Sequence, residues 1–227
     1  MLIQYFSVHK PKRNKFRRRP VVVPSIFHTV MADLIDYRKF YRYNNGYKYI
    51  LVMIDAFSRF AWTRPLKSKR AEECATAMDS ILSNFQYNPV FFTSDKGNEF
   101  MAKNEHVKRV LVDKFKMNVY PMTGQTKGSI VERYNRTLKT RIQRYFTENN
   151  TQKWIDVLGD FTRNINNSFN RSIGMKPVEV NVRNVDEVRE RLYQNKHKDR
   201  TCHIKLGDIV RIPRGKNRFS KGYEQSE

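Results

Sequence analysis

Three acidic residues occupy positions that suit metal-dependent chemistry on phosphodiesters. Asp33 lies inside an apolar stretch, and Asp95 closely follows the apolar run 90–93. Glu132 lies in the first turn of a helix that we predict to begin at Ser129. Cutting or joining a phosphodiester requires cations that neutralise charge in the transition state, and two divalent ions held by carboxylates can supply them. Because Mg²⁺ keeps several waters, a few protein oxygens are enough to bind it.

Each of these acids also has a purely structural interpretation. Ser129 and Glu132 fit the Ser-x-x-Glu pattern of a helix capping box. Asp95 precedes Lys96 and Gly97 and could simply form a turn. Asp33 is harder to explain in this way, because a carboxylate in a half-buried strand costs several kcal/mol unless it is paired or bound to a metal. The chain has 22 acidic residues, so spacing alone does not decide between the two interpretations.

The hydrophobic pattern predicts the α/β domain that would position these acids. We predict strands over 32–37, 47–54, 60–66, 90–93 and 118–120, and helices over 71–85, 103–116, 129–146 and 151–170. Asn45-Gly46 is a hairpin signal between the first two strands. In the last helix, Trp154, Phe161, Ile165 and Phe169 are predicted to be core residues. This order of elements indicates a mixed sheet flanked by helices, with Asp95 at the carboxyl end of a strand, where open α/β sheets place their sites.

The charge balance indicates a nucleic-acid partner. The chain has 227 residues, with 44 Lys and Arg against 22 Asp and Glu, and its net charge of +22 favours binding to a polyanion. Residues 1–32 contain no acid, and their basic cluster is typical of an arm on DNA or a nuclear import signal, with a solvated tail as the alternative. The cluster includes Lys15, Arg17, Arg18 and Arg19. We therefore expect a nuclear protein.

Other classes of protein and site are disfavoured by the same sequence. No apolar run approaches the ~18 residues that a membrane-spanning helix needs, so we expect no membrane association. Cys74 and Cys202 lie too far apart in sequence to form a zinc-binding pair, so we expect no zinc.

Four segments resemble, in this order, the catalytic core of retroviral-type (DDE) integrases: VMADLIDY, YKYILVMIDAFSRFAW, FFTSDKGNEF and GSIVERYNRTLKTRI. Asp95 stands in T-S-D-x-G-x-E-F and Glu132 in G-x-x-E-x-x-N-R, with 36 residues between them, a spacing similar to that of the family. The basic arm, ADLIDY and a late KLGDIVRI are most similar to the integrases of Polinton or Maverick transposons. The resemblance covers about residues 10–220.

The resemblance implies a fold, a cofactor and a reaction. The fold would be ribonuclease-H-like, and Asp33, Asp95 and Glu132 would be catalytic residues that hold two Mg²⁺ or Mn²⁺ ions, with Asp33 contacting both. The reaction would be 3′-end processing followed by strand transfer of element DNA into target double-stranded DNA, by a dimer or tetramer. Two alternatives remain open: a catalytically silent DNA-binding protein domesticated from a transposon, and a ribonuclease-H-fold nuclease that cuts without joining.

The helix from Ser129 also carries candidate DNA contacts. Glu132, Arg136 and Lys139 share one face, which could equally be a solvated surface. With the integrase motif, we predict DNA contacts for Asn135, Arg136 and Lys139. In the preceding loop we predict them for Gln125 and Lys127.

The resemblance and the composition together predict four segments along the chain. Residues 1–25 would form the basic arm, 26–184 the catalytic core and 185–203 a polar linker. Residues 204–227 resemble the start of an SH3-like or chromodomain-like barrel. One or two strands cannot close a barrel, so we expect a partial C-terminal domain and a chain that is a fragment or a truncated copy.

Overall fold

A five-stranded mixed sheet forms the centre of the computed structural model, which describes residues 22–95, 97–122, 129–193 and Gly207. The strands are β1 (Thr29–Asp36), β2 (Tyr49–Asp55), β3 (Ala61–Leu66), β4 (Phe91–Ser94) and β5 (Asn118–Pro121). Their order in the sheet is β3-β2-β1-β4-β5. The first three strands pair antiparallel, and β4 and β5 continue the sheet parallel to β1. The predicted mixed sheet is confirmed.

Helices cover both faces of this sheet. They are α1 (Ala71–Leu82), α2 (Glu105–Lys108, continued by a π-helical stretch, Arg109–Lys114), α3 (Ser129–Glu148), α4 (Leu158–Asn166) and α5 (Val185–Tyr193). Side chains alternate between the faces along β1. Val30 and Ala32 pack against α1 and α2, whereas Met31 and Ile35 pack against α3 and α5. Among the described residues, no helix combines the length and the apolar character needed to cross a membrane.

The connection between β1 and β2 contains a short 3-10 helix, Arg38–Tyr43, which the hairpin signal did not predict. The predicted turn at Asn45-Gly46 follows it, with positive φ at both residues (51° and 81°). Because the helix lies between the first strand and the turn, this connection is longer than a tight hairpin.

Asn44 fixes this connection to the rest of the fold. Its buried side chain donates from Nδ2 to the carbonyls of Phe40 (2.7 Å) and Gln152 (2.9 Å). Its Oδ1 accepts the backbone N–H groups of Trp154 (2.7 Å) and Ile155 (3.1 Å). A single amide therefore holds the β1–β2 connection against the segment between α3 and α4.

The helix predicted over 151–170 is shorter than the periodicity indicated. It is α4, Leu158–Asn166, and Trp154 lies before it in a fully buried position, as predicted. Phe169 was predicted to be a core residue, and this prediction is wrong, because the residue follows the end of α4 and is 63% exposed.

The predicted polar linker 185–203 is wrong for its first nine residues, which form α5. Val188 and Leu192 are buried in the same core as α3. Their i, i+4 spacing puts both on one helical face, and the charged residues around them hide that pattern in the composition. The rest of the linker, the basic arm up to residue 21 and the segment 204–227, except Gly207, lie outside the described residues.

Candidate active site

The central strand β1 carries Asp33 on the face of the sheet that α3 covers. Met31 and Ile35, two positions before and after it, pack in the core beneath α3. Strands β1 and β4 pair in parallel, with Ala32 opposite Ser94. Asp33, within β1, and Asp95, just after β4, are the residues that follow this last pair. Because neighbouring strands lie ~4.8 Å apart, the backbones of the two acids are close to each other.

A buried amide holds the Asp33 carboxylate in place. Its Oδ2 accepts a hydrogen bond from Asn135 Nδ2 at 2.7 Å, and its Oδ1 accepts the backbone N–H of Leu34 at 2.8 Å. Asn135 lies on α3 and is only 7% exposed. We predicted a DNA contact for Asn135, but its burial and this bond direct its amide to Asp33. The sequence placed Asn135 one turn after Glu132 and gave no signal for this partner.

Negative charge is concentrated around Asp33. Burial, together with the charges of Asp95 and Glu132, raises the pKa of its carboxyl to about 6, although the Leu34 N–H and the Lys139 charge act in the opposite direction. The carboxyl groups of the three predicted acids therefore act on one another electrostatically. A cation bound between them would relieve this repulsion.

Asp95 and Glu132 are held less firmly than Asp33. Both are exposed, Asp95 just after β4 and Glu132 in the first turn of α3. Asp95 Oδ1 accepts the N–H of Gly97 at 3.2 Å, so this residue also forms the turn that its sequence context suggested.

Asp33, Asp95 and Glu132 offer the type of ligand atom that a divalent cation such as Mg²⁺ binds. These atoms are carboxylate oxygens, which Mg²⁺ and Mn²⁺ prefer. Among the described His, Cys, Asp and Glu side chains, no three lie close enough together to hold one ion. Asp95 and Glu132 would therefore have to move towards Asp33, and their exposure leaves their side chains free to do so.

A groove runs along α3, and its lining includes two bases, Lys139 and Arg144, and two acids, Asp36 and Glu148. Arg136 and Lys139, two of the predicted DNA contacts, are exposed on this helix. The groove has a volume of about 680 Å³, and its walls also include Gln143 of α3 and Phe40 of the 3-10 helix. Contact with DNA stays a prediction for both residues. Lys15, Arg17, Arg18, Arg19, Gln125 and Lys127 lie outside the described residues.

Residues 32–151 match the family described as the integrase core domain. This chain belongs to that family. A transposon-derived protein of Caenorhabditis elegans is 38% identical over 188 residues, which are 80% of this chain and 60% of that protein. The Gag-Pol polyprotein of baboon endogenous virus is 28% identical over 148 residues, 64% of this chain and 8% of the polyprotein. The chain thus spans less than two thirds of the length of these relatives.

Solved integrase structures share the fold of this integrase core. The HTLV-2 integrase catalytic core domain, solved in complex with magnesium, superposes with a TM-score of 0.54 at 16% identity, covering 67% of this chain and 95% of that chain. A chain of the simian T-cell lymphotropic virus intasome, solved in complex with PP2A regulatory subunit B56 gamma, superposes with a TM-score of 0.60 at 16% identity, covering 95% of this chain and 72% of that chain. At these identities the likeness concerns the fold alone, and it confirms the ribonuclease-H-like sheet. The more specific resemblance to Polinton integrases stays a prediction.

Proposed function

We propose that this integrase core is a DNA integrase or transposase that processes the 3′ ends of an element and transfers them into target DNA. The observation that carries the proposal is Asp33 on the α3 face of the sheet, held by Asn135 and subject to the charges of Asp95 and Glu132. Membership of the integrase core domain family supports the same chemistry.

Asp33, Asp95 and Glu132 would hold two Mg²⁺ or Mn²⁺ ions, which supply Lewis-acid stabilisation of charge in phosphoryl transfer. The part of the chain is to present ionised carboxylates in a defined place. With a pKa of about 6, Asp33 is mostly ionised at neutral pH, and its bond from Asn135 fixes one oxygen while leaving the carboxylate at the surface of the sheet. The magnesium complex of the HTLV-2 core supports a divalent ion for this site.

The DNA would bind along α3, from these acids towards the groove that Lys139 lines. Arg136 and Lys139 would contact its phosphates, and the arm with Lys15, Arg17, Arg18 and Arg19 would add contacts further away, as would Gln125 and Lys127. Integration joins two DNA ends to one target, so we propose a dimer or tetramer, in line with the dimeric form of the HTLV-2 core and the intasome among the structural neighbours. Access to chromosomal DNA implies the nucleus.

A branched DNA that mimics the strand-transfer product tests this function. The protein and its Asp95→Asn variant are incubated with it in Mn²⁺, and the release and resealing of strands are followed on a gel. Asparagine can still accept the Gly97 N–H bond, so the variant keeps the local turn and loses only a carboxylate. Resealed DNA from the wild type alone is the expected result.

The other outcomes identify the alternatives. Binding without any reaction in either protein would indicate a silent DNA-binding protein. Cleavage without resealing would indicate a nuclease. Equal resealing by both proteins would show that Asp95 is not a catalytic residue.

A further inference from the structure

A second cavity lies on a different side of α3 from the carboxylates. Its volume is about 270 Å³, and it is formed by α3, α5 and the segments after β2 and α4. Isoleucine, leucine, proline and two tyrosine side chains, those of Tyr134 and Tyr193, form part of its wall, and the other lining residues are Arg59, Ser129, Arg133, Thr137, Asn170 and Ser172. The proposed function uses none of these residues.

Arg59 lines this cavity, and its backbone has a conformation that is disfavoured for arginine. Its φ of 66° lies in the left-handed region, which favours glycine and is disfavoured for any residue with a Cβ. Burial lowers the pKa of its guanidinium to about 10. One terminal nitrogen donates to the Ala56 carbonyl, while a guanidinium offers five N–H donors in all. Most of this donor capacity remains for a ligand.

The cavity concentrates positive charge without a carboxylate in its wall. Its lining residues, all of which belong to the described part of the chain, include Arg59 and Arg133 but no Asp or Glu. The nearby charge of Asp55 favours the ionised Arg59, but the oxygens of Asp55 accept bonds from Phe27 N (3.2 Å) and from Ser58 N (2.8 Å) and Oγ (2.6 Å). Among the described residues, neither arginine forms an ion pair with an acid.

We propose that this cavity binds a phosphate group, with Arg59 and Arg133 as its cationic donors and the Ser129 and Ser172 hydroxyls as further donors. The planar guanidinium matches phosphate oxygens in a two-point arrangement. The phosphate belongs either to the DNA backbone or to a small phosphorylated molecule. Arg133 follows Glu132 directly on α3, so the cavity and the carboxylates flank the same helical turn.

The first test uses inorganic phosphate in EDTA, so that the metal chemistry of the proposed function plays no part. Thermal unfolding is followed against phosphate concentration, with chloride at the same ionic strength as the reference. The wild type should gain stability with phosphate. Arg59→Gly and Arg133→Ala should need at least roughly ten times more phosphate for the same shift, since each loses a charged donor.

Two features of the design keep this test clear. Glycine suits the φ of residue 59, so Arg59→Gly should fold even though a buried side chain is lost. Lys108→Ala removes one exposed charge on α2, across the sheet, and should respond to phosphate like the wild type. Equal phosphate responses in all four proteins, or no response in the wild type, would overturn the proposal.

A second measurement distinguishes the two sources of phosphate. The protein is treated with phenylglyoxal, which modifies arginine, and modification at Arg59 and Arg133 is read by mass spectrometry. Protection by a short DNA duplex at concentrations that saturate binding would assign the site to the DNA backbone. Protection by deoxyadenosine monophosphate or inorganic phosphate but not by DNA would assign it to a small molecule. Failure of every probe to protect either arginine would refute a phosphate site.

Discussion

Asp33 should make the metal-free protein less stable than it would be with a neutral side chain. Burial, assisted by Asp95 and Glu132, raises the pKa of its carboxyl from 3.8 to about 6. The folded state therefore binds the proton more tightly than the unfolded state, so the free energy of unfolding falls as pH rises through this window and stays lower above it. At ~1.36 kcal/mol per pKa unit, the loss above pH 6 is about 3 kcal/mol.

The substitution Asp33→Asn should recover part of this free energy. The new amide oxygen can keep the N–H bond of Leu34. Its NH₂ group can donate to Asn135 Oδ1, a buried atom that has no hydrogen-bond partner among the described residues, once the Asn135 amide turns over. We therefore expect Asp33→Asn to raise the free energy of unfolding by about 1–3 kcal/mol at pH 7.5, with the turnover of Asn135 reducing the full value.

Urea denaturation in EDTA at pH 7.5 and pH 4.5 measures this effect. The gain should be largest at pH 7.5 and should shrink at pH 4.5, where the wild-type carboxyl is mostly protonated. Asp36→Asn is the matched control on the same strand, because the Arg38 side chain lowers the pKa of Asp36, so its substitution should cost stability slightly. A variant at Asp33 that is no more stable than wild type at pH 7.5, or equally stabilised at both pH values, would refute the reasoning.

Three further substitutions test the fold, the site and the groove. Asn44→Ala removes the four hydrogen bonds of a buried side chain and should lower the free energy of unfolding by about 3 kcal/mol in urea denaturation. A loss below about 1 kcal/mol would contradict its anchoring role. Asn135→Ala removes a donor to the Asp33 carboxylate and should raise the pKa of Asp33. The acid limb of the pH–activity profile should then move to higher pH. An acid limb at the wild-type pH would contradict the positioning role of Asn135. Lys139→Ala should make the slope of log K against log salt for DNA binding shallower by the amount expected for roughly one phosphate contact. An unchanged slope would show that Lys139 does not contact DNA phosphate.

The sequence predicted the sheet because its local patterns agree with the tertiary structure. Strand β2 is fully buried and reads as one apolar run, and Asp33 interrupts an apolar stretch, which marks it as unusual without any structure. Asp95 and Glu132 were selected as candidates by the integrase-like motifs around them, T-S-D-x-G-x-E-F and G-x-x-E-x-x-N-R. Each of these signals lies within a few residues of the chain.

Features that depend on distant partners could not be predicted. Asn135 bonds to a residue 102 positions earlier, and nothing in its neighbours shows whether it faces DNA or the strand beneath. Arg59 and Arg133 line one cavity only because α3 packs next to the turn after β2. The helix α5 was missed because its two buried residues stand among charged ones, and burial is decided by the surface that they meet.

The three acids differ in how much of their arrangement exists before any ligand binds. Asp33 is fixed on the central strand, whereas Asp95 and Glu132 would have to move towards it to hold the proposed ions, and this movement would use part of the free energy of binding. Suppose that DNA and metal ions both stabilise the arrangement in which the three carboxylates lie together. The ligand that binds first then supplies the free energy of this rearrangement, and the second ligand binds more tightly. The two ligands strengthen each other's binding by the same factor. The affinity for metal measured on the protein alone would then underestimate the affinity on DNA, and this integrase core would retain its ions best where its substrate is already in place.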